Sequence, residues 1–219
     1  MVRSGDGCTG LDSAIKKTLL ASEILRPDIA ERRRVWVETR QPDMSNMLER
    51  LVFIDETSLK TNLAKTTGWA PVGMRLIDHA PFGHWHTQTF IAGLAVDRLI
   101  APWVLDGAMN RASFDTYIAT QLAPALRPGQ IIVADNLSSH KSSQALDLLR
   151  ARGNDLIFLP PYSPDLNPIE MAFSKLKALI RKAAARTYQA LWEKVGEVCD
   201  LFLPQECKNY FNAAGYGCN

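Results

Sequence analysis

The chain is predicted to be an α/β protein built on one mixed sheet, and three observations carry that prediction. Apolar runs at 51–54 and 131–134 each end in an aspartate, as buried strands do where their carboxyl ends open into a crevice. Residues 87–96 and 101–105 read as further strands, so the first half is an antiparallel meander. The second half alternates, with a strand at 131–134, a helix at 141–152 and a strand at 156–159. Strand, helix, strand connections imply parallel neighbours, so the sheet is expected to be antiparallel first and parallel later.

Composition bounds the rest. At 219 residues, 47% hydrophobic and 22% charged, the chain can build one substantial core and is too apolar for a disordered tail. A formal charge of +2 does not announce a nucleic-acid binder, so the placement of charge matters more than its sum. The four cysteines, Cys8, Cys199, Cys207 and Cys218, show no C-x-x-C spacing, which argues against a disulfide framework or a zinc knuckle. No signal peptide is evident, and apolar runs such as 90–96 fall far short of the roughly 20 residues of a membrane helix. A soluble, intracellular protein is the expectation.

Residues 1–48 are polar, with Gly5, Gly7 and Gly10 early and a helix at 29–40, and are read as a linker or helical extension outside the main core. Arg32, Arg33 and Arg34 in that helix form either a solvated face or a contact with DNA phosphates. Pro42 and Asp43 are expected to break the helix before the first strand, 51–55. After a polar segment, Gly68, Pro71 and Gly73 punctuate a turn. Trp69 beside it either stacks on a base and covers the site or packs on the sheet. HAPFGHWH holds three of the four histidines; His84 and His86 would share a face if extended, as zinc ligands or as loop and DNA-facing groups. A helix at 112–126 closes at Pro128 and Gly129 and leads to the strand that ends at Asp135. The next helix buries Ala145, Leu146, Leu148 and Leu149 and stops at Gly153.

A Pro-rich turn at 160–168 then delivers a helix, with Asn167 as its cap, Pro168 at its first position and Glu170 in its first turn. Asp55, Asp135 and Glu170 therefore come from two strand ends and one helix start. Magnesium takes hard oxygen ligands and usually only one or two protein carboxylates. Two such ions about 3.5–4 Å apart can hold both the attacking and the leaving oxygen of a phosphoryl displacement. The bland alternative is that the aspartates merely end strands and Glu170 completes a capping box with Asn167, in which case Glu170→Gln would keep function. Along the helix, Phe173, Leu176, Leu179, Ile180 and Ala183 share one arc, while Lys175, Lys177, Arg181, Lys182 and Arg186 lie outside it. No acidic residue interrupts 171–186, and Glu170 falls within about 20° of Lys177 and Arg181 on the wheel. That single-sign line favours a phosphate backbone running past the carboxylates. Another amphipathic helix, through Leu191, Val195 and Val198, and a short aromatic segment complete the chain.

LVFIDET, ADNLSSHK and LPPYSPDLNPIE, with thirty-four residues between Asp135 and Glu170, resemble the catalytic domain of DDE transposases of the mariner superfamily, the bacterial insertion-sequence 630 branch above all. GWAP, GHWHTQTF, KLKALIRKAAART and NYFNAAGY extend the resemblance over about 49–216. It implies an RNase H-like fold for 49–219, a five-stranded mixed sheet flanked by helices. It also implies DNA cleavage at transposon ends and strand transfer of the freed 3′ hydroxyl into target DNA, typically at TA. Asp55, Asp135 and Glu170 would be the catalytic metal ligands for two Mg2+ ions, with Mn2+ as a substitute. Lys175, Lys177, Arg181, Lys182, Trp69 and His140 are the candidate DNA contacts, and Asn136, His140 and the turn at 160–168 match motif positions of supporting role. Transposon-end and target DNA, a second copy in a homodimer and a nucleoid-associated cytoplasmic location follow as expectations. Full-length members carry helix-turn-helix units upstream, yet 54 residues precede Asp55 here, and KKTLLASE resembles the linker after those units. The end-reading part is therefore expected to be absent or supplied by another chain, as in a truncated copy or a second reading frame. An RNase H-like nuclease, or a non-catalytic remnant that binds DNA or a full-length partner, are the competing readings.

Overall fold

The computed structural model describes residues 22–60, 70–75, 77, 88–183, 185 and 187–217. Five strands, β1 (Leu51–Leu59), β2 (Gln88–Leu94), β3 (Leu99–Asp106), β4 (Ile131–Ala134) and β5 (Asp155–Phe158), form one sheet in the order β3-β2-β1-β4-β5. β1 pairs antiparallel with β2, and β2 with β3, whereas β4 runs parallel to both β1 and β5. The antiparallel-then-parallel sheet is thus observed.

Because side chains alternate across a strand, β1 supplies two cores. Leu51, Phe53 and Leu59 enter one, beneath α6 (Ile169–Ala183), α7 (Tyr188–Cys199) and α8 (Pro204–Ala213). Val52 and Ile54 enter the other, beneath α3 (Arg111–Tyr117), α4 (Ala123–Ala125) and α5 (Ser143–Ala151). Packing is close at the sheet centre: a Cβ on Gly93 would meet Val52 Cγ1 at 2.9 Å and Ile100 Cγ1 at 3.0 Å. On α6, Phe173, Leu176 and Ile180 are buried as the wheel predicts, but Ala183 is exposed at the helix end.

Three expectations are corrected. The strand expected to stop at Asp55 runs to Leu59, because β2 continues to pair with it after the β4 pairing has ended at Phe53. The N-terminal stretch does not stand outside the core. Ile29, Trp36 and Met44 are buried, and Trp36 Nε1 donates to Tyr216 Oη at 3.1 Å. Nor does Pro42 end the first helix. α1 (Pro27–Val35) passes through a widened turn, residues Trp36–Arg40, into α2 (Gln41–Ser45), with Gln41 N–H reaching Trp36 O. Bonding five residues back loosens the turn that a proline ring would otherwise clash with. The same device precedes Pro124, where Ala123 N–H reaches Ile118 O. Among the described residues no helix is long and apolar enough to cross a membrane.

Candidate active site

β1 and β4 are in parallel register with Phe53 opposite Val133, and two further residues along each chain bring Asp55 beside Asp135. The carbon skeleton of the sheet therefore sets this pair. Asp55 is 8% exposed; its Oδ1 accepts from Glu56 N at 2.7 Å and its Oδ2 from Asn167 Nδ2 at 2.8 Å. Asp135 is half-buried, and its Oδ1 accepts from Leu137 N at 3.2 Å. Glu170, exposed in the first turn of α6, completes the lining of a cavity of about 440 Å³ that all three carboxylates share.

The loop before Glu170 is held by side chains distant in sequence. Arg33 donates to Ser163 Oγ at 2.7 Å, to the Tyr162 carbonyl at 3.3 Å, and to both oxygens of Asp165 at 2.9 and 2.6 Å. From beneath, Tyr216 Oη donates to Leu166 O at 2.9 Å. Asn167, 3% exposed, turns its amide to Asp55 instead of capping α6, and its Oδ1 has no partner among the described residues. The capping box is therefore not formed: Glu170 N–H reaches the Asn167 main-chain carbonyl at 3.2 Å. Tyr162 sits in the left-handed region at φ 55° with an exposed ring at the cavity wall.

Behind Asp135 lies His140, 1% exposed and stacked on Phe114 with ring centroids 4.6 Å apart. Its Nε2 is 2.9 Å from Glu56 Oε2, and its Nδ1 is 2.5 Å from Asp135 Oδ1 in an ion-pair approach without hydrogen-bond alignment. Burial works against the imidazolium, yet the Asp135 and Glu56 carboxylates on either side outweigh it and raise His140 to about 10. Asp55 is pushed well above the usual aspartate range, first by burial and then by the charges of Glu170 and Asp135. Partial desolvation raises Glu170 most; Lys177 pulls it back and Asp135 pushes it up again. Like charges thus crowd one cavity, which is the condition a cation relieves.

Among the described residues, no three or more His, Cys, Asp or Glu side chains close into a cage that would hold a metal ion. The donor set nevertheless fits a hard divalent cation, because such an ion needs only one or two carboxylates and completes its shell with water. Asn167, which lines the same cavity, keeps a buried Oδ1 without a partner among the described residues.

The expected DNA contacts are distributed unevenly. Lys177 is half-buried beside Glu170, and Arg181 and Lys182 are exposed. Lys175 instead bonds Leu201 O at 2.9 Å and Glu206 Oε2 at 2.5 Å, with Phe202 under its ammonium. His140 stands behind the carboxylates, away from the surface that a nucleic acid would touch. Trp69, His84, His86 and Arg186 lie outside the described residues. Sequence reasoning missed Glu56, Tyr162, and the roles of Arg33 and Asn167. Glu56 carried a signal, since it alternates with Asp55 and so faces the opposite side of β1. The partners of Arg33 and Asn167 are 129 to 132 and 112 residues away, beyond any local pattern.

The chain is similar to known proteins in sequence and in fold. The model of the family described as DDE superfamily endonuclease matches residues 50–207. The Tcb2 transposase of Caenorhabditis briggsae is 28% identical, over 75% of this chain and 68% of its own length. Among solved structures, the Mos1 transposase paired-end complex with the left transposon end superposes with a TM-score of 0.77 at 17% identity, covering 94% of this chain. The Mos1 strand transfer complex gives 0.75 at 20% identity. The chain spans 64% of the length of those two transposase chains. The Mos1 catalytic domain solved with Raltegravir and Mg gives 0.67, covering 87% of this chain and 92% of that one. The sheet and its helices are the RNase H-like fold of those catalytic domains. With the family model spanning most of its length, the chain belongs to the DDE superfamily of endonucleases, and it is similar to the Mos1 and Tcb2 transposases.

Proposed function

We propose that this domain cuts DNA at transposon ends and transfers the freed 3′ hydroxyl to target DNA, with Asp55, Asp135 and Glu170 holding two Mg2+ ions, or Mn2+ in their place. The observation that carries the reading is the convergence of the three carboxylates on one cavity, with Asn167 fastening Asp55. When bound, divalent ions supply charge neutralisation at the attacking and leaving oxygens of the phosphodiester. The chain's own part is to fix the carboxylates. Register sets Asp55 and Asp135, Asn167 and the Glu56 amide orient Asp55, and His140 with Glu56 braces Asp135 from behind. On the outer face, Lys177, Arg181 and Lys182 follow the phosphate backbone from Glu170 down α6, where Lys175 supports the helix through Glu206. Trp69 is a further candidate DNA contact in this reading. Membership of the insertion-sequence 630 branch, a homodimer in the active complex, a TA target and a nucleoid-associated cytoplasmic location belong to the same reading. So does a catalytic domain from residue 49, preceded by an extension, 1–48, whose Trp36 and Met44 pack into its core.

The test offers the protein a pre-cut transposon end, a target duplex and Mg2+. Joined end–target product, lost in Asp135→Asn, is the expected result. Hydrolysis without joining would assign a nuclease of this fold. No product, combined with dominant inhibition of an intact relative that Asp135→Asn leaves undiminished, would assign a non-catalytic remnant.

A further inference from the structure

The arginines of the N-terminal helix divide into two sets. Arg26 pairs with Asp28, Arg33 with Asp165, and Arg34 with both Glu31 and Glu38. Arg32 and Arg40 are exposed and have no ion-pair or hydrogen-bond partner among the described residues. These two line one groove of about 510 Å³ between the helix and the end of β5. Its acidic wall residue, Glu31, is already neutralised by two hydrogen bonds from Arg34. The floor is apolar, with Ile157, Phe158 and Pro160. At its inner end the groove shares Asn136, Leu159, Pro160 and Pro161 with the cavity of the three carboxylates, so the two are continuous.

We propose that this groove is a subsite for single-stranded DNA, which receives the unpaired strand beside the scissile phosphate; the inference rests on the DNA-cutting reading and extends it. Free guanidinium groups on one wall match phosphates, and an apolar floor with an aromatic ring serves unpaired bases, which stack on such surfaces. A duplex keeps its bases inside and offers such a floor nothing. Eight helical steps separate Arg32 from Arg40, about 12 Å along the axis, so the two meet different phosphates of one strand.

The test measures binding of a labelled 20-nucleotide thymidine oligomer and of a 20-base-pair duplex lacking any end sequence. Both are titrated by fluorescence anisotropy, in EDTA, across a salt series. For Arg32→Ala/Arg40→Ala, losing two phosphate contacts should flatten the single-strand log–log salt slope by about 1.4, at about 0.7 per phosphate. Duplex binding should move little, Arg26→Ala should match the native chain, and Arg32→Lys/Arg40→Lys should recover most of the slope. Parallel single-strand slopes, or equal losses for single strand and duplex, would overturn the proposal. A change of solution mass in the alanine variant with unchanged slopes would also overturn it, by giving the groove to a second copy of the chain. Metal and cleavage play no part in this readout. Unchanged slopes beside intact strand transfer remove the groove alone, and flattened slopes without strand transfer remove the transposase reading alone.

Discussion

Asp55 and Asp135 are positioned by neighbouring strands of one sheet, whereas Glu170 hangs on a loop that other elements must hold. The register of β1 and β4 fixes the first pair through main-chain hydrogen bonds in the middle of two buried cores. Glu170 follows the turn at 160–168, which is fastened by Arg33 from α1, by Tyr216 from the C-terminal segment and by the Asn167–Asp55 bond. The difference teaches that the aspartate half of the site is as rigid as the sheet, and the glutamate half only as rigid as a few long-range side-chain contacts. Substitutions in the two halves should therefore fail in different ways.

The largest effect is expected at the aspartates. Asp135→Asn should lower metal-dependent cleavage by about 10^3-fold, roughly 4 kcal/mol of barrier, with the fold retained by circular dichroism. Asp55→Asn should do the same while raising the melting temperature at neutral pH. The sign follows from its raised folded-state value: the native state binds that proton more tightly than the unfolded chain, so the ionised group weighs against folding above the folded-state value, and the penalty fades as pH falls through it. A lowered melting temperature for Asp55→Asn would contradict the crowding of charge.

Asn167→Ala joins the two halves, because it removes the one side-chain donor to Asp55 among the described residues. Metal affinity, read by Mn2+ titration, should fall about 10- to 100-fold, the usual cost of losing a partner that orients a ligand. An unchanged affinity would mean that Asn167 serves the loop only.

The sheet half can be disturbed without touching a carboxylate. Gly93→Ala drives a methyl group into Val52 and Ile100 and should cost about 1–3 kcal/mol in denaturant unfolding. The loop half should respond more mildly. Arg33→Ala removes a partly exposed network, for about 1 kcal/mol after solvent screening, and should reduce cleavage while leaving Mn2+ affinity within a fewfold. The Arg33 guanidinium holds Asp165 below the usual carboxylate value. That contribution is present above the unfolded value, about 3.9, and lost as pH falls through the folded one. The stability gap between native and Asp165→Asn should accordingly close in acid.

The same division governs what could be read from the sequence. Ile131 to Ala134 followed by Asp135 is a local signal, and the alternation of strands and helices gives the mixed sheet. β1 outran its expected end because pairing with β2 prolongs it, which no single segment displays. The N-terminal helix looks peripheral in sequence because its buried residues, Ile29, Trp36 and Met44, lie seven and eight positions apart among charges. That spacing is compatible with one helix face, but sparse. The roles of Asn167 and Arg33 depend on partners more than a hundred residues away, so local pattern offers only the helix cap for Asn167 and a solvated face or a DNA-phosphate contact for Arg33.

The most direct test of a single acidic site is a crystal soaked in Mn2+, with ions located by anomalous scattering in the native chain and in Asp135→Asn. The account predicts at least one ion between Asp55 and Asp135 in the native crystal, within reach of Glu170, and its loss in the variant. Native crystals without manganese at millimolar concentration, with the three carboxylates standing apart, would contradict it.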